Sequence, residues 1–401
     1  MSATTVSVLL ILLFCVMAIL TCREDVLLKK KRAKLAASVY SESQLSGQDS
    51  VKTKKRKLKA LRYGRNVARW QFIWLVLLVF VGVILCAFRD TQNTYDTPNY
   101  VRMYLSWDVS SFSSFFKFSR DVEIGYEIIS RIIKALFPGN IAIYFGTIAF
   151  IVLSLFAAAI WKLTDKRLAV FMLMYSIYGF YYSYIVLRQG IAMGIILYTV
   201  ACIRKNKRFY IVKFLCGLII AVLFHRSAII CIIMLPFLSG KIQINKLVIA
   251  IIFAIVCACI VYRNLVLIFA KFALWVSEFP LFSSVRSRIN TYFSTSQLDT
   301  ESKFSAVLVT FFIVGFLGKT KDVGEESWNI FMWFECIGML IIGFLSGLDI
   351  VLRFGHYFIM FQCFLLPYST RYVQSLGNKF IIILIALLYT YNMIGLTAAP
   401  Q

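Results

Sequence analysis

The sequence predicts an all-α, polytopic integral membrane protein with about twelve transmembrane helices. Three observations carry that prediction. Of the 401 residues, 60% are hydrophobic and 15% charged, and the mean hydropathy is +0.79. Apolar runs of membrane-spanning length recur along the whole chain. The basic residues behind the net charge of +24 crowd into the segments between those runs, as they do in loops retained in the cytoplasm. A soluble domain is excluded, and the charge reads as a topology signal and not as a nucleic-acid surface.

The spans are expected at 4–22, 70–88, 139–161, 168–186, 190–203, 209–225, 227–239, 246–262, 304–318, 328–347, 352–369 and 379–396. The opening MSATTVSVLLILLFCVMAILTC has no positive n-region and no small-residue cleavage site. Residues 1–22 therefore read as a first transmembrane helix and not as a signal peptide. The next segment, 23–69, carries fifteen Lys/Arg against four Asp/Glu, with SESQLSGQDS at its centre. That composition predicts a disordered basic cytoplasmic loop, whose basic clusters at 29–32 and 54–57 would also suit anionic head groups. The N-terminus then lies outside, and 70–401 forms one polytopic membrane domain.

Alternating from there, KLTDKR at 162–167, RKNKR at 204–208, the Lys241–Lys246 turn, GKTKD at 318–322 and the Arg371 turn all fall inside, and every one is basic. Two long loops, 89–138 and 263–303, and short turns at 187–189, 225–227 and 348–351 fall outside. Segments 190–203 and 227–239 are short for a bilayer and suit re-entrant or cavity-lining pieces. Ile124, Ile128, Ile132 and Leu136 recur at helical spacing, with Glu123, Glu127 and Arg131 on another face. This predicts an amphipathic helix lying at the membrane surface. The stretch 263–282 reads similarly.

Most of the ten cysteines lie inside apolar runs, and none forms a CxxC pair. Neither a disulfide framework nor a metal site is expected. P-loop, dinucleotide, HExxH and GxSxG motifs are missing from the sequence, as is a nearby carboxylate pair suited to a nucleotide-sugar metal. No cofactor is expected, and the donor of any transfer reaction should be embedded in the membrane.

Arg188, Arg226 and Arg353 stand at the outer ends of apolar segments, where cations are disfavoured. Three guanidiniums on one side suit an anionic ligand such as a lipid diphosphate, which arginine binds through forked hydrogen bonds. Gln189 follows the first. The only two histidines accompany the others, in His225-Arg226-Ser227 and in Arg353-Phe-Gly-His356-Tyr357. A histidine there suits general acid or base work near neutral pH, or satisfies a packing site through one ring nitrogen. On a helix, Asp349, Arg353, His356 and Tyr357 share a face. This suits Arg353 on phosphate with His356 or Tyr357 on sugar, or a local Asp–Arg pair closing the turn. The first outer loop offers Asp90, Asp96, Glu123 and Glu127 as carboxylates, with Tyr95, Tyr100, Tyr104 and Trp107 for sugar stacking or an interfacial aromatic belt.

The order of these features resembles the EpsG family of membrane glycosyltransferase-like proteins, relatives of the Wzy-type polymerases of bacterial surface polysaccharide. The matching pieces are Asp90, Tyr95-Asp96 and Tyr100, then Glu123-Ile-Gly-Tyr126-Glu127, Arg188-Gln189-Gly-Ile-Ala, Phe224-His225-Arg226-Ser227-Ala228 and Arg353…Tyr357. Together they cover about 90–360. The resemblance implies a C-type glycosyltransferase-like fold in the cytoplasmic membrane with its active site on the extracytoplasmic face. The implied reaction joins polyprenyl-diphosphate-linked oligosaccharide repeat units into capsule, exopolysaccharide or O-antigen. Implied partners are that lipid-linked oligosaccharide, membrane lipid and other assembly proteins such as a flippase and a chain-length regulator; no nucleic acid is involved. On this reading Arg188, Arg226 and Arg353 hold phosphate. His225 leads as base, with Asp96 or Glu127 as alternative. Two other activities would also use such cations: a C-type transferase taking a polyprenyl-phosphate sugar, and a flippase for the same lipid-linked oligosaccharide.

Overall fold

The computed structural model describes residues 3–43, 50–91, 96–119, 122–261, 308, 310–316, 325–344, 349–369 and 375–397. Every regular element among them is helical. Tyr95 and the expected outer loop 263–303 lie outside the described residues, as do 304–307 of the expected span at 304–318. Among the described residues, five helices are long and apolar enough to cross a membrane: Thr5–Ala37, Lys57–Ala87, Ile141–Leu163, Leu187–Lys205 and Glu325–Phe344. Where they are described, the remaining expected spans fall on other helices, several of them short or interrupted. Contacts divide the chain into two compact units, Met1–Gly194 with Lys379–Gln401, and Ile195–Asn378.

The first unit opens on a long helical hairpin, α1 (Ala3–Ser43) and α2 (Ser50–Ala87). Here the structure corrects the sequence reading. Residues 23–43 and 50–69, expected as a disordered loop, continue the two membrane helices. Lys and Arg are good helix formers, and a helix already formed in the span extends without a new nucleus. Cations also stack across the pair, with Arg23 over the Trp70 ring at 5.6 Å and Lys34 over Tyr63 at 3.8 Å.

Where the hairpin leaves its apolar part, Glu24 is buried and caps one further helix. Its carboxylate accepts the Leu168 and Ala169 amides at 2.9 and 3.0 Å, and the Gln71 Nε2 at 2.6 Å. These amides are the orphan donors of the first turn of α7 (Arg167–Met174). The hairpin packs on α6 (Ile141–Leu163) and on α7.

α7 runs through a π-helical turn, Tyr175–Gly179, into α8 (Phe180–Tyr184). The helix then breaks at Ile185 and Val186, whose amides both reach the Tyr181 carbonyl, before α9 (Leu187–Lys205) restarts. The unit is completed by α3 (Thr97–Ser106), the single turn α4 (Phe112–Phe115) and α5 (Ile124–Leu136), with α15 (Ser375–Thr397) from the chain's end.

The second unit holds the rest of α9, α10 (Tyr210–Phe224), a 3₁₀ run Arg226–Met234, α11 (Lys246–Val261), α12 (Glu325–Phe344), α13 (Asp349–Ile359) and α14 (Gln362–Ser369). The expected span 227–239 falls on the 3₁₀ run. Nine residues rising about 2 Å each reach about 18 Å, well short of a hydrocarbon core of about 30 Å. α12 and α13 pack at glycine contacts, as membrane helices do through small residues. A Cβ added at Gly338 would meet Ile359 at 2.5 Å, and one at Gly355 would meet Ile342 at 2.5 Å.

Candidate functional site

The break between α8 and α9 organises the first cluster. Buried Arg89 closes it from behind, donating through Nε to the Cys86 carbonyl at 2.8 Å, through Nη2 to Ser183 at 2.9 Å and through Nη1 to Tyr184. Those carbonyls end α2 and α8, so the guanidinium sits against the negative ends of two helices. Its charge also lies over Phe145 and Tyr184, at 4.0 and 4.6 Å.

Arg188 then falls in the first turn of α9, beside buried Gln189. Its Nη1 donates to Glu123 Oε2 at 2.7 Å, and its side chain keeps 30% exposure against 7% for Glu123. A second hydrogen bond joins Arg188 to the Tyr100 hydroxyl, while its Nε makes none. Glu123 is the residue just before α5 and Tyr100 stands on α3. The segment that carries α3 and the start of α5 thus folds onto α9 through a carboxylate and a phenol. A partly exposed guanidinium with donors to spare, at a helix N-terminus, is a ready anion site.

Gly190 makes this placement possible. A Cβ there would lie 2.1 Å from the Tyr182 carbonyl oxygen, so only glycine lets α9 restart so close to α8.

The expected carboxylates divide by what they do. Asp96 stands at the N-cap of α3, half-buried, and its side chain makes no cap hydrogen bond. It lies one turn before Tyr100, on the same helix face. Glu127 is fully buried, with Oε1 taking Arg131 at 2.6 and 2.9 Å and Oε2 taking the Ser119 amide at 3.0 Å. Arg131 spends its other hydrogen bonds on the carbonyls of Asp108, Ser114, Phe115 and Lys117. A base needs a lone pair that substrate can reach, so this pair holds segment 107–119 in place. Asp90 is half-buried at the end of the α2 turn.

The surrounding titrations follow from burial and contact. The Asp108 carboxyl is held below its usual range by the Ser110 amide, and burial lowers the Lys134 ammonium. Burial pushes the Tyr126 phenol well up, assisted by the neighbouring Tyr144 hydroxyl at 2.5 Å.

The other expected residues belong to the second unit. His225 ends α10 in extended conformation, half-buried, and Arg226, exposed, starts the 3₁₀ run. α13 does carry Arg353, His356 and Tyr357, the first two half-buried and Tyr357 fully buried. The Tyr357 hydroxyl lies 3.2 Å from Ser227 Oγ, and α13 packs on the 3₁₀ run. The turn at 225–227 and the Arg353–Tyr357 face, 130 residues apart, are therefore neighbours.

Sequence reasoning passed over Arg89 and Glu335. Glu335 is fully buried in α12, and neither carboxyl oxygen has a hydrogen-bond partner among the described residues. A carboxyl in an apolar helix was itself a signal. Among the described residues, no group of three or more His, Cys, Asp or Glu is arranged to hold a metal ion.

Fold and cluster together define a multi-pass, all-helical membrane protein with a guanidinium site at a broken helix. More particularly, the chain belongs to the EpsG family, whose model matches residues 72–400. No curated protein and no solved structure matches it.

Proposed function

We propose that this chain is a polysaccharide polymerase of the EpsG kind. It would join polyprenyl-diphosphate-linked oligosaccharide repeat units into surface polysaccharide on the outer face of the cytoplasmic membrane. The family match supports the polymerase reading, and the positive-inside pattern supports the topology of about twelve spans. The observation that carries the site is Arg188, held by Glu123 and Tyr100 in the first turn of α9.

In the proposed reaction an acceptor sugar hydroxyl attacks the anomeric carbon of the donor chain. The new C–O bond forms as the bond from that carbon to the diphosphate oxygen breaks. Polyprenyl diphosphate leaves with the electron pair, and its growing charge meets fixed donors in a site of low dielectric. Arg188 and Gln189 supply those donors, with the α9 amides behind them. Within the second unit, Arg226 and Arg353 are the corresponding phosphate candidates, and Tyr357 orders the turn beside Arg226. The acceptor proton goes to a base.

Asp96 is the first choice for that base within the first unit, because Glu127 is engaged by Arg131 and Glu123 by Arg188. Asp90 and Tyr100 then contact sugar. His225 is the corresponding choice in the second unit, with His356 beside it on α13.

The test replaces Arg188 with Ala in cells and resolves surface polysaccharide on a gel. Loss of long polymer with accumulation of single lipid-linked repeats is expected. Unchanged chain lengths from well-expressed variant protein would overturn the assignment. Addition of one sugar instead of a repeat would indicate a polyprenyl-phosphate-sugar transferase. Loss of all outer-face repeats would indicate a flippase.

A further inference from the structure

The helical arm formed by residues 23–43 and 50–69 lies outside the residues matched to the family, and the proposed chemistry makes no use of it. Glu24 meets Gln71, Lys31 lies 3.5 Å from a Cβ built at Gly64, and Lys34 covers Tyr63. These pairs share one antiparallel register, so the two helices run side by side away from the apolar spans. Ala60 and Val67 of α2 face inward and are buried. The opposite face presents Leu58, Leu61, Arg62 and Arg65 at i, i+3, i+4 and i+7, with Leu58 63% and Leu61 53% exposed. Lys59 stands exposed beside them.

Exposed leucines in a stripe of arginines call for a partner. Position decides between a lipid surface and a protein. The Glu24–Gln71 layer, where the hairpin meets the α7 N-terminus, marks its exit from the apolar region. At about 1.5 Å per residue, Leu61 and Leu58 stand about 15 and 20 Å beyond that layer. Head groups occupy only about 6 Å, and charge is screened over about 8 Å at physiological salt. Each helix is continuous from span to arm, so the stripe cannot fold back onto the bilayer without breaking α2.

We propose that the Leu58–Leu61–Arg62–Arg65 face is a docking surface for an acidic protein segment that carries apolar residues of its own. On the topology proposed above, this partner is cytoplasmic. A second copy of the arm is disfavoured by like charge.

The test places the photocrosslinker p-benzoylphenylalanine at Leu61 in the full-length protein and irradiates cells. The expected adduct joins the chain to a protein whose contacting peptide, identified by mass spectrometry, is rich in Asp or Glu. Replacing Lys59, Arg62 and Arg65 with Glu should reduce that adduct at least tenfold. Replacing them with Gln, which keeps helix propensity, should reduce it less, and this guards against simple unfolding of the arm. Adducts only to lipid or to a second copy would overturn the proposal. So would no adduct, or an adduct indifferent to the charge reversal. The readout is independent of polymer synthesis, so its failure leaves the polymerase assignment standing, and the reverse also holds.

Discussion

Replacing Gly190 with Ala tests how the site is built. The added methyl carbon would lie 2.1 Å from the Tyr182 carbonyl oxygen, 2.9 Å from its carbonyl carbon and 3.1 Å from its Cβ. The nearest two are backbone atoms, so no rotamer change relieves the clash. α9 must withdraw from α8 by about 1 Å, at a cost of about 1–3 kcal/mol. Arg188 lies two residues earlier on the same helical turn and moves with it, loosening its 2.7 Å bond to Glu123. A displacement of about 1 Å at a catalytic group can cost about 100-fold in rate. Gly190→Ala should therefore keep the protein folded in detergent, with a lowered Tm, and cut polymer synthesis by one to two orders of magnitude. Gly64→Ala is the control. Its Cβ meets only Lys31 at 3.5 Å, and in a helix Ala is favoured over Gly by about 1 kcal/mol. Parental activity and Tm in Gly190→Ala would refute the claim that this contact positions Arg188.

Two further predictions follow from buried charge. Arg131→Met strands the Glu127 carboxylate and frees four loop carbonyls, so the loss should be about 3–5 kcal/mol, read as a lower Tm and faster proteolysis between 107 and 119. Glu335→Met removes a buried carboxyl that has no hydrogen-bond partner among the described residues and should leave Tm unchanged or raised, since replacing an unsatisfied buried polar group with an apolar one is favourable by about 1–3 kcal/mol. A lowered Tm there would show that the Glu335 carboxyl has a stabilising partner in the folded protein.

Much of the helical architecture was legible from hydrophobic period. Among the described residues the apolar runs fell on helices, and α5 formed with the amphipathic spacing read from Ile124, Ile128, Ile132 and Leu136. The Arg353–Tyr357 face also formed on a helix as spaced. The arm was misread because lysine-rich composition signals solvation, whereas its helicity comes from two long spans that extend into it. Arg89 was invisible because its partners are backbone carbonyls, which leave no trace in side-chain chemistry. The Glu127–Arg131 pair was readable as an i, i+4 spacing, but its burial and the loop it holds came only from tertiary structure. The Glu123–Arg188 pair joins residues 65 apart, beyond any local pattern.

The central claim is that Arg188 binds the diphosphate leaving group. Purified protein in lipid nanodiscs, supplied with a polyprenyl-diphosphate-linked repeat unit, measures it most directly. The parent should yield a ladder of lengthened chains and released polyprenyl diphosphate. Arg188→Ala, folded by its Tm, should yield neither, and Arg188→Lys, which keeps charge without the fork, should yield a small fraction of the ladder. An Arg188→Ala ladder equal to the parent's would contradict the account.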